Sequence, residues 1–202
     1  MGDVMIREAR PGELAAVGDV RVAAYAAGGF LSPGYAPELR ALGGAGDGTV
    51  LVAVPDDATS AGATSARRRD GGAGGPAGGD GPGPGLIAGT IMLVTWPLPG
   101  ELVAGPDEAE IRALAVTPGV QQGGVGTRLL LTALNWAELA GARRVVLSTL
   151  PEMRAAHRLY ERIGFRRLPD RDWSPRPGVQ LLAYCLELGR LPADQPGNGQ
   201  RG

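Results

Sequence analysis

Residues 116–131, VTPGVQQGGVGTRLLL, restrict the fold of this chain more than any other stretch. An apolar segment ends at Val116. A turn holding a proline, two glutamines and the glycines Gly123, Gly124 and Gly126 follows, and it runs directly into an amphipathic segment. A strand that passes through glycines into a helix lays that helix back over its own sheet, which demands layers of helix and strand. The same glycines let the backbone approach a ligand with no Cβ in the way. The helix that follows presents unpaired N–H groups and the positive end of its dipole to the turn. Such a helix start suits phosphate or diphosphate. Glycine spacing alone is equally well explained by a tight strand-to-helix turn with nothing bound.

The rest of the chain supplies the layers. Residues 4–7 read as a strand and residues 12–26 as a helix with Leu14, Val17, Val20 and Ala24 on its apolar side. Residues 36–42 form a second short helix after Pro33, and β-branched residues 49–54 a strand. Strands follow at 86–96 and 109–116, then a helix at 127–140 ended by Gly141. A strand at 144–149 leads to a helix at 151–163, with Pro151 near its start and Gly164 just past its end. Strands at 165–168 and 179–188 close the pattern. The order βααβββαβαββ predicts an α/β or α+β fold around one mixed sheet. Residues 58–85 are Gly, Ala, Ser, Pro and Asp around an Arg67-Arg68-Arg69 cluster, and read as a disordered insertion within one domain spanning 4–188. Residues 189–202 read as a disordered tail.

Composition removes several chemistries. The chain has 202 residues and a formal net charge of -1, so no broad field draws nucleic acid or an acidic membrane. Every basic residue is arginine, which excludes a Walker-type phosphate lysine and a Schiff-base lysine. One histidine, His157, cannot build a His-rich metal site, and no metal is expected. The single Cys185 sits in the apolar run LLAYCLEL and reads as a structural thiol. The start of the chain has no apolar signal-type segment, and LIAGTIMLVTW is too short to span a bilayer, so a cytoplasmic setting is expected. The glycine turn lacks the GK[ST] ending of a P-loop. It also fails as G-x-G-x-x-G, because Leu129 stands at the third glycine position.

Gln121-x-x-Gly124-x-Gly126 resembles the Q/R-x-x-G-x-G/A signature of the GCN5-related N-acetyltransferases, the GNAT superfamily. The preceding IRALAVTPGVQ is similar to that family's fourth strand and proline turn. Ala156, Tyr160, Gly164 and Phe165 match its later A-x-x-x-Y-x-x-x-G-F motif. The likeness is strongest over residues 109–165. It implies a single mixed, mostly antiparallel central sheet flanked by helices, with two parallel strands splayed apart where acetyl-CoA binds. It implies further that Gln121, Gln122, Gly123, Gly124, Val125, Gly126 and Thr127 wrap the cofactor's diphosphate. The backbone of Leu114, Ala115 and Val116 would then pair with the pantetheine arm. Where family members often carry a cofactor-holding Asn, this chain has Met153, which offers no amide hydrogen bonds.

Acetyl transfer to an amine requires a polarised thioester carbonyl, a base for the amine and an acid for the departing thiolate. The resemblance implies Tyr160 as the acid, since a phenol is a suitable donor to a thiolate, although Tyr160 also shares the apolar register of Met153 and Ile163. Glu110 stands at the separation from the glycine motif that the general-base glutamate has in histone-acetylating members; an exposed strand-end acid accounts for it equally well. His157, one helical turn before Tyr160, is a further candidate base. Trp173, Tyr25, Phe30 and Tyr35 are expected to pack over the acceptor end. Glu101, Asp107, Glu108 and Glu110 are acids that would draw a cationic amine, although an acid-rich turn that is simply solvated accounts for them as well. The expected activity is acetyl-CoA-dependent N-acetylation of a small-molecule or peptide amine by direct transfer, in a monomer or homodimer. A catalytically weak acyl-CoA-sensing or protein-binding module is the alternative, and longer acyl groups stay open.

Overall fold

The computed structural model describes residues 4–32, 34–44, 46–56, 86–120 and 123–189. The expected insertion at 58–85, all of the expected tail but its first residue, and Gln121 and Gln122 lie outside the described residues.

Eight strands form one mixed sheet: β1 (Val4–Glu8), β2 (Thr49–Pro55), β3 (Gly89–Thr95), β4 (Glu108–Val116), β5 (Arg144–Thr149), β6 (Arg166–Arg167), β7 (Trp173–Arg176) and β8 (Val179–Glu187). Their spatial order is β1-β2-β3-β4-β5-β8-β6, with β7 paired to β8. All pairings are antiparallel except β4 with β5. Among the described residues four α-helices flank the sheet: α1 (Leu14–Ala27), α2 (Tyr35–Ala41), α3 (Val125–Leu139) and α4 (Arg154–Ile163).

The central strands read as unbroken apolar runs because both faces are covered. On one face Leu51, Ala53, Ile91, Leu93, Ala109, Ile111, Val145 and Leu147 meet α3 and α4 through Leu129, Leu130, Ala133 and Tyr160. On the other, Val50, Val52, Val54, Met92 and Val94 pack against Val17 of α1. A smaller cluster of Leu102, Val146 and Ala183 carries Leu168 and Trp173 over the β5–β8 end.

Three elements differ from the sequence reading. Strand β7, in the two-proline stretch WSPRPG, was not among the expected elements. It pairs only with β8, and on a sheet edge a missing N–H is tolerated. Helix α3 begins at Val125 rather than 127, because Gly124 holds the left-handed N-cap conformation at φ 73°. Helix α4 begins at Arg154, the residues after Pro151 forming a turn whose Met153 N–H donates to the Leu150 carbonyl at 3.1 Å.

The entry to α1 is clamped by charge. Both Arg7 Nη atoms donate to the Glu13 carboxylate at 2.7 Å, and the Arg10 N–H adds a third bond at 2.8 Å. The Arg7 hydrogen bonds hold the Glu13 carboxyl down at about 2 against the opposition of burial. A carboxyl lowered on folding adds stability above its unfolded pKa and loses it as pH falls through the folded value. Glu13→Gln is therefore expected to cost on the order of 2–3 kcal/mol at pH 7. The difference between the two proteins should shrink as the pH of thermal melts is lowered from about 5 toward 2.

Candidate active site

The site begins with a break in the sheet. Strands β4 and β5 pair from Glu108↔Arg144 to Ile111↔Leu147, and the pairing goes no further. Beyond that point β5 stays with β8 through Thr149↔Leu182, while β4 stays with β3 to Val116↔Gly89. A bulge drives the parting. The β3–β4 register jumps from Met92↔Arg112 to Thr90↔Ala115, so Ala113 and Leu114 together oppose Ile91. Ala113 takes φ 50°, the one non-glycine residue with positive φ among the described residues. A two-against-one bulge bends its strand and re-aims the peptide groups beyond it. At the foot of this bend Gly89 is required: a Cβ there would stand 2.9 Å from the Ala115 carbonyl and 3.0 Å from Leu129 of α3.

Helix α3 starts beside the end of β4. Its first intrahelical bond is the Arg128 N–H donating to the Gly124 carbonyl at 3.0 Å, so the N–H groups of Val125, Gly126 and Thr127 have no intrahelical acceptor. The N-cap residue Gly124 has no side chain to cap this end, and among the described residues no acid stands in its first turn. Gly126 packs close, its Cβ position lying 3.5 Å from Val116 and 3.7 Å from Leu159. The Gly123 N–H is already used, donating to the Val120 carbonyl at 3.1 Å, so this residue offers only its missing Cβ. Donors, dipole and absent negative charge make the α3 start fit a diphosphate. Leu114 and Val116 are half-buried and Ala115 buried, all three on the segment of β4 that β5 does not pair.

A cavity of ≈ 350 Å³ opens where the strands part. Ala113, Ser148, Thr149, Leu150 and Met153 line its inner end, and Tyr25, Phe30, Tyr35, Trp173 and Leu181 wall the rest. The four aromatic residues expected at the acceptor end thus lie together around one space. Arg112 and Arg176 also line it. Arg112 bonds Glu101 at 2.5 Å. Arg176 stacks 4.9 Å over the Tyr35 ring, donates to Ser32 Oγ at 2.8 Å and pairs with Glu38 at 3.4 Å.

Glu110 is 1 % exposed, so it is not an exposed strand-end acid. Its Oε2 accepts the N–H groups of Glu101 and Leu102 at 2.7 and 2.9 Å, which ties the β3–β4 connection to the sheet. Oε1 has no hydrogen-bond partner among the described residues and lies 3.9 Å from Arg112 Nε. Burial pushes this carboxyl up from its ordinary value, against the two backbone donors and Arg112. Glu110 is not among the residues that line the cavity.

Tyr160 is buried in the main core, with Phe165 at 5.8 Å and Tyr184 at 6.2 Å between ring centroids. Burial raises its phenol. It lies close enough to Tyr25 to add to the rise of that phenol, after burial and Tyr35. His157 points elsewhere: its Nε2 stands 2.9 Å from the Leu150 carbonyl, which only accepts, so Nε2 carries the proton and holds the turn after β5. Thr149 Oγ1 donates to Met153 Sδ at 3.6 Å, so the thioether replaces an amide with a packed contact.

The acid-rich turn is largely spent on arginines. Glu108 is buried between Arg171 at 2.8 Å and Arg144 at 3.4 Å, and Asp107 stands 3.9 Å from Arg143 on the surface. The cavity arginines, and the fully buried Arg21 behind them, were not singled out from the sequence. An arginine in an amphipathic helix reads as a solvated side chain whose stem covers apolar surface.

The family model described as Acetyltransferase (GNAT) family matches residues 38–165. Among solved structures, an assigned GNAT acetyltransferase of Desulfovibrio desulfuricans superposes with TM-score 0.64 at 22% identity, covering 93% of this chain and 100% of that one. An assigned acetyltransferase of Salmonella typhimurium, solved with its cofactor acetyl-CoA, gives TM-score 0.56 at 16% identity over 96% and 99%. The ribosomal-protein-S18-alanine N-acetyltransferase of Escherichia coli gives 0.58 at 16% identity over 99% and 100%. Likeness at these identities is likeness of fold. A search of curated proteins finds none that matches the chain. Among the described residues, no helix is long and apolar enough to cross a membrane.

Glu110 has a structural duty separable from any chemistry. Glu110→Ala leaves two backbone N–H groups unpaired and is expected to cost roughly 2–4 kcal/mol in denaturant unfolding. Glu110→Gln keeps an acceptor for both and should cost less than about 1 kcal/mol.

Proposed function

The chain belongs to the acetyltransferase (GNAT) family, and we propose that it transfers an acetyl group from acetyl-CoA directly to a primary amine of a small-molecule or peptide acceptor. The observation that carries this reading is the parting of β4 from β5 beyond Ile111 and Leu147, with a glycine-capped helix start beside one end and an aromatic cavity in the opening. A cytoplasmic setting goes with this reading.

Acetyl-CoA supplies an acetyl group activated as a thioester. In this reading the N–H groups of Val125, Gly126 and Thr127 hold its diphosphate, and Gly123 and Gly124 let the turn approach. Gln121 and Gln122, expected in the same wrap, lie outside the described residues. The backbone of Leu114, Ala115 and Val116 positions the pantetheine arm along the re-aimed segment of β4, where an N–H polarises the acetyl carbonyl. No side chain is needed to carry the acetyl group.

The base and acid divide by environment. Glu110 takes the amine proton: its carboxyl is raised toward a useful range by burial and its Oε1 lacks a partner. Because it does not line the cavity, the proton reaches it through water. Tyr160 keeps its proton at neutral pH, held there by burial, and gives it to the departing sulfur.

Purified protein should release free CoA thiol when given acetyl-CoA and an accepted amine. Tyr160→Phe should lower kcat by about 10²-fold while acetyl-CoA affinity stays within twofold. Equal loss of binding and turnover would reassign Tyr160 to the core alone. Gly126→Asp adds a carboxylate to the first turn of α3, where the dipole favours it by about 0.3–1 kcal/mol. The apo protein should melt at an unchanged or slightly higher temperature, while acetyl-CoA binding in calorimetry weakens more than tenfold. Unaltered binding would remove the diphosphate from this loop.

A further inference from the structure

Behind the aromatic wall of the cavity stands a cation with one side empty. Arg21 of α1 is 0% exposed. Its Nη1 donates to the Leu42 carbonyl at 2.5 Å, yet Nε and Nη2 have no hydrogen-bond partner among the described residues. These two nitrogens form one edge of the guanidinium, the edge that meets both oxygens of a carboxylate in parallel. Burial lowers the Arg21 pKa to about 10, with Arg112 contributing, against Tyr25 and Tyr35. Arg21 does not itself line the cavity, but Leu42, whose carbonyl accepts its Nη1, does, as do all three of those neighbours.

An arginine with half its donors unpaired in the interior is costly, and a buried cation is normally matched by an anion. The acids around the cavity do not provide the match. Glu101 is bound to Arg112 and Glu38 to Arg176, and Glu110 is anchored by two backbone N–H groups, its burial favouring the neutral form. The cavity therefore presents paired charges on its walls and an unmatched guanidinium edge behind them. A polyamine finds no unspent carboxylate cluster in such a space. Its ≈ 350 Å³ accommodates a molecule of amino-acid size, and Phe30 and Trp173 offer apolar surface for its body.

Resting on the acetyltransferase reading, we infer that the acceptor is a small primary amine that also carries a carboxylate, and that the Nε–Nη2 edge of Arg21 receives that carboxylate. Because Arg21 is 0% exposed, the carboxylate reaches that edge only when a side chain of the cavity wall moves aside. The amine is then left toward Ala113 and Ser148, where the strands part. In the transfer the amine nitrogen forms a bond to the acetyl carbon and the carbon–sulfur bond breaks. One proton leaves the nitrogen and one is gained by the sulfur, while the carboxylate is unchanged.

The test uses matched ligands. Phenylalanine, leucine, methionine and tryptophan, each beside its primary amide, together with spermidine and a neutral N-terminal peptide, are assayed by thiol release with acetyl-CoA. In parallel, the shift in melting temperature they cause is read with CoA present. At least one free acid should exceed its amide tenfold or more in kcat/KM, and should raise the melting temperature where the amide does not. Arg21→Met should abolish that discrimination while keeping the shift caused by acetyl-CoA alone, which shows that the variant is folded. Arg21→Lys, with the charge but not the fork, should retain part of it.

Acids and amides used equally, transfer only to spermidine or the peptide, or discrimination unchanged in Arg21→Met would each overturn the inference and leave acetyl transfer standing. A free acid that binds through Arg21 without any turnover would support the site and count against the transfer reading. No acid either binding or reacting overturns the inference.

Discussion

The wedge between β4 and β5 is the constraint on which the rest of this molecule depends. Two parallel strands that begin in register part after four residue pairs because each then follows its antiparallel neighbour on the other side. The bulge at Ala113 turns β4 toward β3, and β5 remains with β8. Backbone groups are expensive to leave unpaired in an interior. A wedge of this kind is therefore a place where an extended ligand can supply the missing strand contacts. The same bend brings the end of β4 to Gly89 and beneath α3, so the strand opening and the approach to the start of α3 both depend on it. Straightening β4 would close both.

Arginine chemistry holds the frame around that wedge. With no lysine in the chain, each cation is a planar fork, and the described structure uses it repeatedly in two-point contacts. Arg7 grips Glu13 at the start of α1, and Arg167 grips Asp172 with both Nη atoms at 2.9 and 2.7 Å. Asp172 in turn accepts the Ala183 N–H at 2.7 Å, which fixes the segment leading into β7 and thereby the position of Trp173. Glu108 joins Arg171 to Arg144 across the bottom of β4 and β5. Seen against these matched pairs, the half-satisfied fork of Arg21 stands apart.

The elements that pack by periodicity were legible in the sequence, and so was the glycine turn that carries β4 into α3. Alternating cover on both sheet faces leaves apolar runs such as TVLVAV, and a backbone-made anion site leaves glycines at fixed spacing. Tertiary effects were not legible. The residues WSPRPG carry turn-type prolines, and only the edge of β8 makes a strand of them. The acids of residues 101–110 look like a solvated patch until the fold sets Arg112, Arg171 and Arg144 against them. Glu110 shows the same limit: its position on β4 was readable, but its hold on the 101–102 backbone depends on how the loop returns.

This division follows from how the two halves of the site are made. The half nearest α3 is one continuous stretch of chain, β4 to turn to helix, so its requirements are written locally as small residues and a helix start. The cavity draws Tyr25 from α1, Tyr35 from α2, Arg112 from β4, Trp173 from β7 and Leu181 from β8. No local pattern can encode a space bounded by these elements and by Ser148 and Thr149 of β5. Each of those elements can exchange a side chain facing the cavity without disturbing the β4–α3 turn. A fold so divided keeps its activated acyl donor while its acceptor changes. In the proposed reading the acceptor is therefore selected by the polar atoms that the cavity and its backing leave unmatched.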